Sequence, residues 1–294
     1  MTFFIQLLVA GIVVGSIYGL VALGFVLIYR ASDALNLANG EFVLIGAYVS
    51  LALIVNFNIP FIFALILTLL LSALVGVGVE RLVLRPLKNA PVVSVIMATI
   101  GLSSLLGGVV TMIWGTQPKS FPDIFPATPV KISSVTIAPM YLWSFIIVTI
   151  LLIIFSVFFK FSKFGIAMRA VADDQQAASS MGININFVYA MTWAIAAIVA
   201  SVGGILLGSI NGVSGMMATI GLTVLPVVIL GGLDSVLGAI LGGFIIGVLQ
   251  NLAGGYLDPL VGGGLKEVVP FIIIVLILMV KPYGLFGKGG IERV

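Results

Sequence analysis

Two reactive residue types are absent from this sequence, which has no cysteine and no histidine. Cysteine and histidine supply most protein ligands of zinc and haem, and cysteine alone forms disulfides and thiol nucleophiles. Their absence excludes those zinc and haem sites, disulfide bonds and thiol catalysis. We therefore expect no metal site and no cofactor.

Charge is also scarce. Only 8% of the residues are charged and 61% are hydrophobic, and the mean hydropathy is +1.33. Soluble domains have about a quarter of their residues charged. Five long segments have no charged residue at all: residues 3–29, 42–79, 89–118, 132–159 and 175–233. Because about 20 apolar residues of helix cross a bilayer, each segment can span the membrane at least once. The sequence predicts an all-α integral membrane protein.

Breaks at charges, prolines and asparagines divide these segments into spans. We place nine, a polytopic bundle of about 8–9 transmembrane helices, at residues 4–29, 42–58, 61–79, 91–113, 140–159, 187–209, 217–232, 236–253 and 265–280. Glycine-rich breaks in the C-terminal half favour broken or re-entrant helices there. The first segment lacks a basic leading region and is longer than a signal-peptide core, so we expect it to be a retained span.

The distribution of basic residues predicts the orientation, since lysine and arginine accumulate in short cytoplasmic loops. With the N-terminus outside and the C-terminus in the cytoplasm, only three of the 13 basic residues lie outside. Those three are Lys119, Lys131 and Lys266. We read the small net charge of +3 through this topology, and we expect no nucleic-acid partner.

Residues 1–294 are predicted to form one transmembrane domain with two distinctive loops. A cytoplasmic loop covers about residues 160–186. An extracytoplasmic loop covers about residues 114–139, where prolines exclude a continuous helix. This second loop is a connector or a docking or lid element.

The predicted spans have almost no acidic or basic residues, so membrane-embedded catalysis and proton relays have no candidate groups deep in the membrane. Arg30, Asp33 and Glu41 fall on the inner flank of the first two spans, and we expect them to form a structural or interfacial charge cluster. Gly287-Lys288-Gly289 lacks the Ser or Thr that a phosphate-binding loop needs after its lysine. No catalytic residue is expected, and any energy for transport must enter from another subunit.

The polar stretch RAVADDQQAASSMGIN, residues 169–184, stands out in so apolar a chain. Its apolar residues recur at helical spacing, which predicts a short, weakly amphipathic helix. Gly182 is placed to end that helix with a left-handed backbone. A short cytoplasmic helix of this kind suits docking into a groove of a partner, and a solvated loop helix is the alternative.

Residues 176–182, QAASSMG, resemble the Glu-Ala-Ala-three-residues-Gly core of the coupling loop in ABC importer permeases, with Gln176 in place of the acid. Further stretches resemble permeases for branched-chain amino acids. These are NLANGEF at 36–42 with GAY at 46–48, ER at 80–81 with RPL at 85–87, Gly165 with RAV at 169–171, GGLDS at 231–235 with Gly238, and KPYGLFG at 281–287. By this resemblance the chain is identified as a member of the family, as the smaller of two permeases.

The resemblance implies a heteromeric importer in the bacterial cytoplasmic membrane. Its other parts would be a second paralogous permease, two ATP-binding subunits that hydrolyse ATP, and an extracytoplasmic substrate-binding protein. Each permease would form half of a pathway for leucine, isoleucine or valine. Residues of the coupling helix would contact an ATP-binding subunit, with Ala177 and Ala178 at the centre; they are Arg169, Asp173, Asp174, Gln176, Ala177, Ala178 and Gly182.

Two alternatives stay open at this point. One is an importer of the same family that carries urea, short amides or another amino acid. The other is a secondary transporter or channel that acts alone, against which the missing intramembrane acids and the coupling-like loop both argue.

Overall fold

The computed structural model describes residues 2–88, 90–122, 124, 130–132 and 135–287. Within them the chain is a bundle of helices with one small β-ribbon. The helices are α1 (Thr2–Ser32), α2 (Asn39–Val55), α3 (Phe61–Val79), α4 (Val92–Trp114), α5 (Pro139–Phe161), α6 (Lys163–Asp173), α7 (Gln175–Ser180), α8 (Ile185–Asn211), α9 (Ile220–Gly231), α10 (Val236–Tyr256), α11 (Asp258–Val261) and α12 (Leu265–Val280).

Each of the nine predicted spans coincides with a helix. Six helical segments of the described chain are long and apolar enough to cross a membrane, and two shorter apolar helices, Asn39–Val55 and Gly215–Gly231, accompany them. Six helices therefore meet these criteria, and the two shorter ones raise the count to eight, which supports the lower end of the predicted count and not nine. Helix α12, at 16 residues, would be the ninth.

Helices α1 and α8 form the centre of the bundle, and most of their residues are buried. Helix α1 lies antiparallel to α10, since Gly11 faces Gly247 while Gly15 faces Gly243. Helix α8 runs in the same direction as α2, since Gly204 faces Val43 while Gly208 faces Ala47. Small residues at these crossings let the backbones approach closely, and in lipid such packing replaces the hydrophobic drive.

Two helices begin deep inside the bundle. The side chain of Asn39, in the first turn of α2, donates a 3.4 Å hydrogen bond to the carbonyl of Val21 in the body of α1. Gly40 packs against the backbone of Ala218 and Gly221, where a 3₁₀ turn (Gly215–Thr219) leads into α9. The start of α9 is the predicted break in the C-terminal half. The matching re-entrant turn before α2 was not predicted.

The bundle has two ends of different character. At one end, Arg30 of α1 and Arg169 of α6 both lie over the ring of Phe159. We call this the charged end. At the other end, Lys119 and Val213 form a β-bridge between the connections that follow α4 and α8.

The proline-rich loop is only partly described. Strands β1 (Val130–Ile132) and β2 (Val135–Ile137) pair antiparallel in it, with Lys131 opposite Thr136. The predicted irregular loop therefore contains a short two-stranded ribbon. Residues 123, 125–129 and 133–134 lie outside the described residues.

Candidate functional site

The polar segment at the charged end is built from two short helices rather than one. Ser162 caps α6, its Oγ accepting a 2.9 Å hydrogen bond from the amide of Gly165. Asp174 ends α6 and caps α7, its Oδ1 accepting hydrogen bonds of 2.8 Å and 2.9 Å from the amides of Gln176 and Ala177. The single helix predicted here is therefore wrong, because Asp174 satisfies the orphan amides that start a new helix.

The side chain of Arg169 makes its contacts within this chain. Its guanidinium donates hydrogen bonds to the backbone carbonyls of Phe159 and Lys160 and lies 5.6 Å from the centre of the Phe159 ring. These carbonyls belong to the last turn of α5, where unsatisfied acceptors attract cations. Arg169 thereby fastens α6 to the end of α5.

The outward face of α7 differs from the predicted one. Ala178, predicted to lie at the contact centre, is only 4% exposed and packs into the core, so that part of the prediction is wrong. Gln176 and Ala177 are exposed, and Met181 is 84% exposed. We call Gln176, Ala177, Ser179, Ser180 and Met181 the α7 surface. Ala177 and Ala178 are consecutive, so their side chains point about 100° apart around the helix. Sequence spacing alone could not show which of the two faces the core.

Gly182 has the predicted left-handed backbone, with a φ of +84°. Its amide donates a 2.9 Å hydrogen bond to the carbonyl of Ser179, and the amide of Ile183 donates a 3.1 Å bond to that of Ala178. These bonds close the end of α7. Asn184 then caps α8 by accepting a 3.1 Å hydrogen bond from the amide of Phe187.

A polar cavity lies beside this segment. Arg30, Asp33, Asp173 and Asp234 line it, together with Tyr29, Ala172, Ser235 and Phe286. Partial desolvation raises the pKa of the Asp33 carboxyl. The structure thus brings together Arg30 and Asp33 of the predicted cluster with Asp173 of the predicted coupling helix.

Glu41 does not belong to that cluster. Its Oε1 accepts a 2.9 Å hydrogen bond from the Oγ of Ser103 in α4, and the side chain is buried, with 6% exposure. Ser103 lies midway between Val92 and Trp114, about 17 Å from either end of that helix. Glu41 therefore lies level with the middle of α4, a helix long enough to cross a membrane, and not at the end of that helix. The position of Glu41 in the sequence, close to Arg30 and Asp33, suggested a shared location, but the turn before α2 re-enters the bundle.

One ion pair was not predicted from the sequence. Arg85 binds both carboxylate oxygens of Glu80, with Nε at 3.1 Å from Oε1 and Nη2 at 2.9 Å from Oε2. The chain from Glu80 to Leu84 forms a π-helical turn, in which the amide of Arg85 donates to the carbonyl of Glu80. A π turn brings residues that are five apart into contact. In an α-helix the contacting residues are three or four apart, so α-helical spacing does not predict the pairing of Glu80 with Arg85.

With this geometry established, the chain can be compared with known proteins. Residues 7–278 match the family described as branched-chain amino acid transport system / permease component. The chain belongs to this family.

Relatives of this permease match it over almost their full length. It is 32% identical over 308 residues to the high-affinity branched-chain amino acid transport system permease protein LivH of Salmonella typhimurium, covering 99% of this chain and 98% of the relative. It is 30% identical over 305 residues to the corresponding protein BraD of Pseudomonas aeruginosa, with the same coverage.

A solved structure, PsaBC from Streptococcus pneumoniae in complex with Fab, is similar with a TM-score of 0.50 at 15% identity, covering 94% of this chain and 91% of that one. This likeness concerns the fold alone. The permease is a multi-pass membrane protein and a component of a transport system.

Two of the stretches that carried the resemblance meet at the charged end of the permease. The amide of Leu285 donates a 2.8 Å hydrogen bond to the carbonyl of Leu230, and the amide of Phe286 donates a 3.2 Å bond to that of Gly231. Segment 281–287 therefore packs onto the break between α9 and α10. Residues 288–294 lie outside the described residues.

Proposed function

We propose that this permease forms half of the translocation pathway of an ATP-driven importer for leucine, isoleucine and valine. The observation that carries the proposal is its relatedness, over nearly the whole chain, to permeases named for high-affinity transport of branched-chain amino acids. A bundle of apolar helices, six of them long enough to cross a bilayer, supports it.

The charged end would face the cytoplasm, with the N-terminus outside and the C-terminus inside. The clustering of Arg30, Lys160 and Arg169 at that end supports this orientation through the preference of basic residues for the cytoplasmic side. The loop at about residues 114–139 would then lie on the extracytoplasmic side, where a soluble substrate-binding protein delivers the amino acid.

Loop 160–186 would couple the permease to ATP hydrolysis. Its α7 surface is exposed, while Arg169 holds α6 to the end of α5 and Asp174 caps α7 directly after α6. Such a capped element can transmit a displacement from an ATP-binding subunit to the spans. In this arrangement the shape of the coupling element is set by Arg169, Asp174 and Gly182. Its exposed contact residues are Asp173, Gln176 and Ala177.

The complete importer would contain a second, paralogous permease, two ATP-binding subunits and the binding protein, and it would need no cofactor in this chain. Its assembly can be tested by co-expressing the permease with these partners and purifying through a tag on the permease. We expect the ATP-binding subunits to co-purify, and leucine-loaded binding protein to stimulate ATP hydrolysis. A permease that purifies without ATP-binding subunits would refute the proposal. Stimulation by urea-loaded or amide-loaded binding protein alone would reassign the substrate.

A further inference from the structure

An acidic side chain without a cation lies level with the middle of α4, a helix long enough to cross a membrane. No described lysine or arginine is within ion-pairing distance of Glu41, whose Oε2 has no hydrogen-bond partner among the described residues. An ionisable group in the bilayer is expensive, and such groups mark substrate or ion pathways. Glu41 occupies the first turn of α2, where the positive end of a helix favours a carboxylate, and its Oε2 is unmatched.

Other unsatisfied polar atoms lie in the same short stretch. Asn36 and Asn39 have no measurable exposure, and Asn36 Nδ2 and Asn39 Oδ1 also lack hydrogen-bond partners among the described residues. Buried polar atoms are nearly always satisfied, and exceptions call for an explanation. Three such atoms within residues 36–41 leave unmatched hydrogen-bonding capacity concentrated in one short stretch.

Two small residues of helix α4 lie beside Glu41. Ser103 and Gly107, one turn apart and both partly exposed, face the carboxylate. A Cβ added to Gly107 would lie 3.4 Å from Oε2 and 3.5 Å from Oε1, in ordinary contact with both oxygens. A methyl group at position 107 would therefore touch both carboxylate oxygens, at the place where Oε2 is buried and unmatched.

We propose that Glu41 accepts the α-ammonium group of the amino acid as it crosses the membrane, a further inference that rests on the proposed transport function. An ammonium group carries three donors and the positive charge that this site lacks. Ser103 orients the carboxylate by holding Oε1, which leaves Oε2 for the substrate. The apolar side chains of the surrounding spans suit the rest of a leucine-like molecule.

The test uses the complete importer in proteoliposomes and measures leucine transported per ATP hydrolysed. Glu41→Gln keeps the size and the Ser103 bond but removes the charge, and we expect the ratio to fall about tenfold or more, as for the loss of a charge-assisted hydrogen bond. Ser144→Ala is the matched control, because Ser144 is equally buried and its Oγ also lacks a described partner, but it lies in α5. This variant should keep the wild-type ratio.

An unchanged ratio in Glu41→Gln would overturn the inference. Loss of the second permease from the purified Glu41→Gln complex would also overturn it and assign the carboxylate to subunit contact. If Glu41→Gln does not fold, Gly107→Ala decides: its methyl group should lower the ratio in an assembled complex, and a wild-type ratio would refute the inference. If the wild-type complex itself moves no leucine, the proposed function fails rather than the role of Glu41.

Discussion

Gly40 and Gly221 meet backbone to backbone, so that a Cβ built on Gly221 would lie 2.5 Å from the amide nitrogen of Gly40. One glycine belongs to the first turn of α2 and the other to the first turn of α9. The two shorter helices thus start from a common point inside the bundle and run towards opposite ends.

Alanine at Gly221 should destabilise the permease strongly. Neither backbone can move without disturbing α1 or α8, so we expect a loss of about 3 kcal/mol or more, the upper range for overpacking. The measurement is thermal unfolding of the purified chain in detergent. Gly108→Ala is the control, because nothing lies within 4 Å of its added methyl group. Equal stability of the two variants would show that the contact between α2 and α9 is not tight.

The two partners of the buried ion pair should differ in importance. Glu80 is 1% exposed and Arg85 37% exposed. Arg85→Ala leaves a buried carboxylate unpaired and should cost about 3 kcal/mol, whereas Glu80→Ala leaves a partly solvated cation and should cost about 1 kcal/mol. Thermal unfolding of both variants checks this order. The reverse order would mean that Glu80 finds another partner once Arg85 is removed.

Adjacent alanines of α7 should give opposite phenotypes. Ala177→Glu places a charge on the α7 surface and should weaken binding of the ATP-binding subunits about tenfold or more while leaving the unfolding temperature unchanged. Ala178→Glu buries a charge in the core and should destabilise the chain itself. Co-purification and thermal unfolding separate the two effects. Ser120→Glu, exposed at the opposite end, is the control and should bind these subunits normally. Normal subunit binding by Ala177→Glu would remove α7 from the interface.

The orientation can be tested with single cysteines, since the chain has none of its own. Ser120 and Ser179 are both exposed and lie at opposite ends of the bundle. In intact cells an impermeant thiol reagent should label Ser120→Cys, and it should label Ser179→Cys only after the membrane is opened. Labelling with the two positions exchanged would reverse the proposed topology.

The spans could be predicted from sequence because long uncharged runs have few other solutions in a membrane. How deep a polar residue lies inside the bundle could not be predicted in the same way. Asn36, Asn39 and Glu41 look like a polar loop at the membrane surface, and only the contacts with Val21 and Ser103 reveal that the chain turns back into the bundle. Polar residues near a span boundary are compatible with both placements.

The coupling segment shows a similar limit. The helical tendency and the terminal glycine of 169–184 were readable from residue types, whereas its division at Asp174 depends on a cap that competes with helix continuation. Whether Ala177 or Ala178 faces outward depends on how α7 packs on α8. Local sequence carries little information about that contact.

The most direct test of the account is uptake of radiolabelled leucine by proteoliposomes that contain the complete importer, with binding protein outside. We predict accumulation only when ATP is sealed inside, and no loss of uptake when ionophores abolish the ion gradients. Uptake that persists without ATP and collapses with the ion gradient would contradict the account, since the permease would then act as a secondary transporter.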